Sequence, residues 1–266
     1  MLQQTQVERV IPLYEAFVAR FPTFDALAAA EAGDVVRAWR GLGYNSRAVR
    51  LHALANAVVA HHGGALPRET AQLRALPGIG AYTAAAVRAF AFDLDDAAVD
   101  VNVRRVIHRV AFGIEHPLRA ADGTLDTLAI AAIPRGAGHD WNSAMMDLGA
   151  TLCTARAPKC LVCPLRDACV AAPVDRAQLA ERARANAPTA APQGKLPFER
   201  TARFLRGRVV DRLRDLVPGE AIAIDALQQD LARIVPADRL HEIPRILDAL
   251  ERDAIVLRID ECVRLR

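Results

Sequence analysis

Four cysteines crowd into one short stretch of this chain: Cys153, Cys160, Cys163 and Cys169, spaced C-x6-C-x2-C-x5-C. Thiols so near in sequence can share one bound centre only if the loop between them wraps around a point. The spacing suits a tetrahedral metal site or an iron–sulfur cluster. Structural zinc usually shows two short Cys-x2–4-Cys pairs and only one pair is short here, so the spacing alone leaves zinc and iron–sulfur both open. Disulfides are the poorer reading, because no signal peptide opens the chain and it reads as intracellular. The fifth cysteine, Cys262, lies far off in an alternating apolar run and reads as a core or strand residue. Arg156, Lys159 and Arg166 in the loop give it the means to touch phosphates.

A second feature lies upstream. Leu76-Pro77-Gly78-Ile79-Gly80 turns into an Ala-rich helix opened by Ala81, Tyr82 and Thr83 and running to about Ala91. Gly78 and Gly80 can take positive φ and let a foreign backbone come close. A glycine turn feeding a helix N-terminus presents free N–H groups and the positive end of the dipole, which suits an anion. No acid occurs between Thr70 and Phe92, and Arg104, Arg105 and Arg109 follow, so the expected anion is a phosphate. A tight turn with no ligand remains the plain alternative. Between turn and arginines stands Asp100, in Val99-Asp100-Val101-Asn102-Val103-Arg104-Arg105. Taken alone, Asp100 reads as the N-cap of a helix over Val101 to Val110.

The chain of 266 residues can bury a sizeable core and is expected to hold two domains. Its net charge of +3 is too modest to argue for nucleic acid by itself, so local arginine clusters carry that argument. Half of the residues are apolar, yet no run approaches a membrane span. The only lysines are Lys159 and Lys195, so an amine for Schiff-base chemistry is absent near the turn and Asp100 in sequence.

Apolar spacing predicts helices over residues 2–19, Ser46 to His61, Leu125 to Ile133 and Asn142 to Leu152. Thr23 is expected to cap a second helix and Asp34 a third through Trp39, with Gly41-Leu42-Gly43-Tyr44 breaking the pattern. No segment before residue 190 reads as a strong strand. Thr201 to Leu216, Ile224 to Val235 and Pro244 to Asp253 read as helices, and Ile255 to Arg266 as a hairpin around Asp260-Glu261. Three helices and a hairpin suggest a winged-helix module; a helical cap that merely packs on the first domain is the alternative. The expected division is a helical domain over 1–172 carrying the cysteine loop at 153–169, a linker over 173–197, and a winged-helix-like domain over 198–266.

The turn, the aspartate and the cysteine loop occur in the order and spacing of the helix-hairpin-helix DNA glycosylases. The chain resembles the A/G-specific adenine DNA glycosylases of the MutY type. The stretches that carry this are Met1-Leu2-Gln3-Gln4-Thr5-Gln6-Val7, Gly41 to Tyr44, Leu76 to Thr83, Val99 to Arg105, Ala144 to Ala150, and the loop with Cys163-Pro164-Leu165. The resemblance spans residues 1 to about 170 and implies an all-α helix-hairpin-helix glycosylase fold with a 4Fe-4S cluster on the four cysteines. It implies that Asp100 stabilises or captures the sugar cation, supported by Tyr82 and Asn102. Gln3, Gln4, Tyr44, Gly78, Gly80, Arg104, Arg105, Arg156 and Lys159 would contact DNA, with Gln4 and Tyr44 filling or wedging the stack. The sister endonuclease III type has a lysine where Tyr82 stands and a histidine where Asn102 stands, so a monofunctional glycosylase is implied.

Four departures qualify the match. The family carries a catalytic glutamate two residues before the methionine that begins this chain, so a start assigned too late is expected, and the 266-residue form is expected to bind weakly and excise slowly. Val101 replaces a usual glycine, and Asn45 a common second tyrosine. The C-terminal segment is too short for the Nudix-like domain that reads 8-oxoguanine in many members. The expected function is removal of adenine opposite 8-oxoguanine or guanine in double-stranded DNA by a cytoplasmic, nucleoid-associated monomer. A thymine or uracil mismatch glycosylase, or a non-catalytic iron–sulfur DNA-binding protein, are the alternatives.

Overall fold

The computed structural model describes residues 1–2, 5–113, 123–185 and 197–266. Gln3 and Gln4 therefore lie outside the described residues, as does the stretch 186–196 of the expected linker. Up to residue 185 the described chain is helical: α1 (Val7–Arg20), α2 (Phe24–Ala28), α3 (Ala32–Ala38), α4 (Ser46–His62), α5 (Thr70–Ala75), α6 (Ala81–Ala91), α7 (Val101–Ile107), α8 (Gly123–Ala131), α9 (Gly138–Asp147) and α10 (Arg176–Ala185). Among the described residues no helix is long and apolar enough to cross a membrane.

Local chemistry explains most boundaries. Thr23 accepts from the Ala26 N–H at 3.1 Å and starts α2. Asp34 does not cap α3. The helix opens two residues earlier after Glu31, and Asp34 instead meets Arg37 and Arg20, both at 3.3 Å. A helix α10 occupies ground expected to be linker. Both α7 and α9 run on into single π-helical turns, His108–Phe112 and Leu148–Leu152. Such wide turns mark places where a helix is adjusted to a neighbour, and the cysteine loop is that neighbour for both.

The C-terminal segment runs α11 (Ala202–Arg214), β1 (Ile222–Ala223), α12 (Ile224–Leu231), α13 (Ile243–Arg252), β2 (Val256–Ile259) and β3 (Cys262–Leu265). Its antiparallel sheet has the order β1-β3-β2, with Ile222 opposite Val263 and Arg258 opposite Val263 on the other side. This is a winged-helix order of elements, and Cys262 sits half-buried in β3 as its apolar alternation implied.

The contacts divide the chain differently from the linker-based expectation. One unit comprises Met1–Pro67, Leu76–Gly78 and, of the described residues, 197–266; the other comprises Arg68–Ala75 and the described residues from Ile79 to 185. In the first unit a single buried cluster joins Val10, Phe17, Val35 and Trp39 to Leu205, Val209, Leu213, Leu247, Val263 and Leu265. The physical reason is the chain's own pattern. The winged-helix module has an apolar face that its small sheet cannot cover, and helices α1 to α4 present a second. A Cβ on Gly33 of α3 would stand 2.8 Å from the Arg266 carbonyl oxygen, so the two sequence-distant parts touch at backbone distance. In the second unit Val103, Ile107, Leu125 and Ala129 form the core.

Candidate active site and cysteine loop

Asp100 is the N-cap of α7, and the same carboxylate is left facing outward as a half-exposed group. Its Oδ1 accepts from the backbone N–H groups of Asn102 and Val103, both at 2.8 Å, and its Oδ2 accepts from Asn102 Nδ2 at 3.1 Å. Among the described residues no cation pairs with it. A capped carboxylate of this kind is fixed in direction, and the Arg105 guanidinium feels its charge without forming an ion pair with it. The segment leading to it is pinned by a residue that sequence reading passed over. Asn142 of α9 is wholly buried, accepts from the Ala98 N–H at 2.8 Å, and donates to the carbonyls of Asp96 (2.8 Å) and Gly138 (2.7 Å).

Asn102 is held in turn. Arg105 donates through Nη2 to Asn102 Oδ1 at 2.9 Å and to the Gly149 carbonyl at 2.7 Å, and through Nε to the Cys153 carbonyl at 2.8 Å. This corrects the expectation that Arg105 contacts phosphate: it is 8% exposed and spends its donors inside the protein. Burial lowers its pKa, and the neighbouring Arg109 charge acts in the same direction. Adjacent residues on a helix point about 100° apart, and here Arg105 takes the buried side while Arg104 stays half-buried. Gly149 is required for the same contact. A Cβ there would stand 2.9 Å from Asn102 Cβ, closer than carbon atoms pack.

Tyr82, in the first turn of α6, completes the group. Burial pushes its phenol pKa up and the charge of Asp100 adds to the shift, so the hydroxyl remains a protonated donor at neutral pH. Of the preceding glycines only Gly78 takes a left-handed φ, +80°; Gly80 is extended at −90° and serves as the N-cap without a side-chain bond. A Cβ on Gly80 would meet nothing within 4 Å, so its value is open approach rather than backbone freedom. Arg104 is half-buried, while Arg156 and Lys159 are exposed on the cysteine loop, and Val101 is 74% exposed at the rim.

The four cysteines line one small pocket, walled by Val106, Leu148, Leu165 and Val174. Among the described residues no three His, Cys, Asp or Glu side chains converge as a single ion demands. Thiols set around a cavity rather than on a point fit a polynuclear cluster better than one zinc. The loop is clamped at both ends. Arg109, 1% exposed, donates to the Thr154 carbonyl at 2.8 Å and to Cys153 Sγ at 3.4 Å, and the Val170 and Ala171 N–H groups return to the carbonyls of Val110 (3.1 Å) and Arg109 (3.0 Å).

In the other unit, Tyr44 ends the Gly41–Tyr44 turn with φ +47° and 47% of its surface exposed. Left-handed backbone is rare for a bulky residue and is kept where surroundings enforce it.

Comparison with known proteins bears on this arrangement. Residues 1–121 match the family model for HhH-GPD superfamily base excision DNA repair proteins, and residues 153–169 match the iron-sulfur binding domain of endonuclease III. An adenine DNA glycosylase of Mycobacterium tuberculosis is 36% identical over 267 residues, covering 97% of this chain and 80% of that protein. The chain belongs to the adenine DNA glycosylase family. Its relative from Mycolicibacterium smegmatis is 46% identical over 166 residues, 62% of this chain, and the match spans 56% of that relative's length. Among solved structures, a thermostable thymine-DNA glycosylase superposes with a TM-score of 0.60 at 33% identity, covering 64% of this chain and 79% of that one. Within the family, then, Cys153, Cys160, Cys163 and Cys169 are the residues that would hold a 4Fe-4S cluster, whose contribution is to cross-link the loop. Asn45, where the family often has tyrosine, has a local explanation: its Oδ1 accepts from Arg214 Nη2 at 2.8 Å.

Proposed function

We propose that this chain is a monofunctional base-excision glycosylase that removes adenine mispaired with 8-oxoguanine or guanine, acting as a monomer on double-stranded DNA. The observation that carries the reading is Asp100: a fixed, half-exposed carboxylate with no cation partner among the described residues. Breaking an N-glycosidic bond builds positive charge on the sugar, and an unneutralised carboxylate is the group that charge requires. The target nucleotide must leave the duplex to reach it. Asn102 and Arg105 hold the carboxylate's direction, and Tyr82 lies near enough to feel its charge. The turn from Gly78 to Thr83 offers backbone N–H groups to a phosphate. Tyr82 cannot form a Schiff base; of the two lysines, Lys159 is exposed on the cysteine loop and Lys195 lies outside the described residues. Abasic sites should therefore stay uncut until alkali or heat is applied.

A second reading, removal of thymine from G·T pairs, is favoured by the likeness to a thymine-DNA glycosylase. One assay separates the two. Duplexes holding A·8-oxoguanine, A·G, T·G and U·G pairs are incubated with the protein and treated with alkali. Because excision by this form is expected to be slow, the protein is kept in large excess over DNA: release of adenine alone supports the first reading, release of thymine or uracil the second, and no release from any duplex even then refutes both. Borohydride trapping of a protein–DNA adduct would refute the monofunctional assignment.

A further inference from the structure

Helix α11 carries five arginines, and four of them are answered by aspartates. Arg206 meets Asp253 at 2.5 Å, Arg208 meets Asp211 at 2.7 Å, Arg212 meets Asp230 at 2.7 Å, and Arg214 meets Asp211 at 3.0 Å. Arg203 is exposed and is the one of the five that makes no ion pair among the described residues. Its guanidinium instead stands 4.9 Å over the centre of the Tyr44 ring. A guanidinium stacked on a ring spends its face on that ring and keeps its edge donors in plane, free for an anion.

The end of α11 grips the residues on either side of the Gly41–Tyr44 turn. Arg214 is buried and donates to Asn45 Oδ1 at 2.8 Å and to the Val36 carbonyl at 3.1 Å. Arg40, just before the turn, reaches Asp215 at 2.5 Å. Arg47 also lies against the Tyr44 ring, at 5.8 Å, but it is engaged with the turn itself, donating to the Leu42 carbonyl at 3.0 Å. The turn itself is held by Trp39 and Arg47, which donate to the Gly43 carbonyl at 3.1 Å and the Leu42 carbonyl at 3.0 Å, while the C-terminal module holds its flanks and sets the uncompensated charge of α11 on the exposed Tyr44 ring.

We propose that Arg203 is a DNA-positioning residue: its face clamps Tyr44, and its edge takes a phosphate flanking the base step that Tyr44 enters. The winged-helix-like module then belongs to the DNA-binding surface through α11. This rests on the reading of Tyr44 as a residue that inserts into the DNA stack.

The test uses the full chain and a duplex with one A·8-oxoguanine pair and a neighbouring 2-aminopurine, whose fluorescence rises when stacking is broken. Tyr44→Ala, Arg203→Ala, Arg203→Lys and the Tyr44→Ala/Arg203→Ala pair are compared for fluorescence, affinity and the slope of log affinity against log salt. Arg203→Ala should reduce the fluorescence rise, weaken binding about three- to tenfold and flatten the salt slope by about one unit. Arg203→Lys should recover the slope and not the full fluorescence rise, because an ammonium is not a flat clamp. In the double variant the fluorescence loss should equal that of Tyr44→Ala, since the two residues act as one unit. If Tyr44→Ala abolishes the rise while Arg203→Ala changes neither rise nor slope, the proposal for Arg203 is overturned and the role of Tyr44 stands. If Tyr44→Ala leaves the rise unchanged, the underlying reading of Tyr44 has failed, and the proposal with it.

Discussion

Asp100 and Tyr44 are held by opposite physical means. Asp100 sits at a helix N-terminus with three hydrogen bonds of 2.8 to 3.1 Å on its two oxygens, and Asn102, which makes two of them, is itself bonded to a buried arginine. Tyr44 has a left-handed backbone and two guanidinium groups over its ring, at 4.9 and 5.8 Å. Hydrogen bonds fix direction, and direction is what the carboxylate needs for the role proposed for it, facing a sugar cation. Stacking fixes a plane and tolerates sliding, which suits the role proposed for Tyr44, a flat group entering different base steps. Polar, directional support should therefore fail sharply when one atom is changed, and stacked support gradually.

The sharpest break is Asp100→Asn. Asparagine is as good an N-cap as aspartate, so folding and DNA binding should persist while single-turnover excision falls by at least about a thousandfold, in line with losing a charge aimed at a transition state. Excision within tenfold of the parent would remove Asp100 from the chemistry. Next comes Arg105→Met, which keeps the bulk of the side chain and removes every donor to Asn102, Gly149 and Cys153. Excision should fall by about 10²-fold with the salt slope of binding unchanged, and a flattened slope would mean that Arg105 reaches phosphate after all.

Gly149→Ala tests the same support by crowding. The added methyl stands 2.9 Å from Asn102 Cβ, so a cost of about 1–3 kcal/mol in thermal or urea unfolding is expected, with excision lowered beyond what stability explains. Removal of the cluster should act on stability and DNA affinity. The purified protein should be brown with four irons per chain, and Cys163→Ser should lose the colour and lower the melting temperature. A colourless protein holding one zinc would defeat the assignment. The smallest effects belong to Arg156→Ala and Lys159→Ala. Each should flatten the salt slope by about 0.9 and weaken binding to matched and mismatched duplexes alike.

Much of this was legible in the residues. Thr23 capped its helix because a hydroxyl three residues before an N–H is a local matter. The turn at Gly78, the break at Gly41 to Tyr44, the cysteine spacing and the N-cap role of Asp100 are likewise local, and each stands where its sequence put it. Asp34 misled because an acid near a helix start can cap or simply sit in the first turn, and the arginines that decided it come from two different helices. Arg105 misled for a related reason. Beside Arg104 it read as part of a basic patch, and the only hint otherwise was its place among Val103, Val106 and Ile107, all buried.

What the sequence determined by itself is the set of short-range devices: caps, turns, helix faces and four thiols within one loop, all governed by groups a few residues apart. What only the tertiary structure decided is which of those devices act together. Asn142 was an ordinary helical asparagine until the Ala98 N–H was brought to it across the fold. The C-terminal segment read as a domain of its own, yet its apolar faces and those of the first four helices were each too large to leave to water, and they closed into one core. Burial of apolar surface carries no direction along the chain, so the sequence could supply both faces and not say that they were partners.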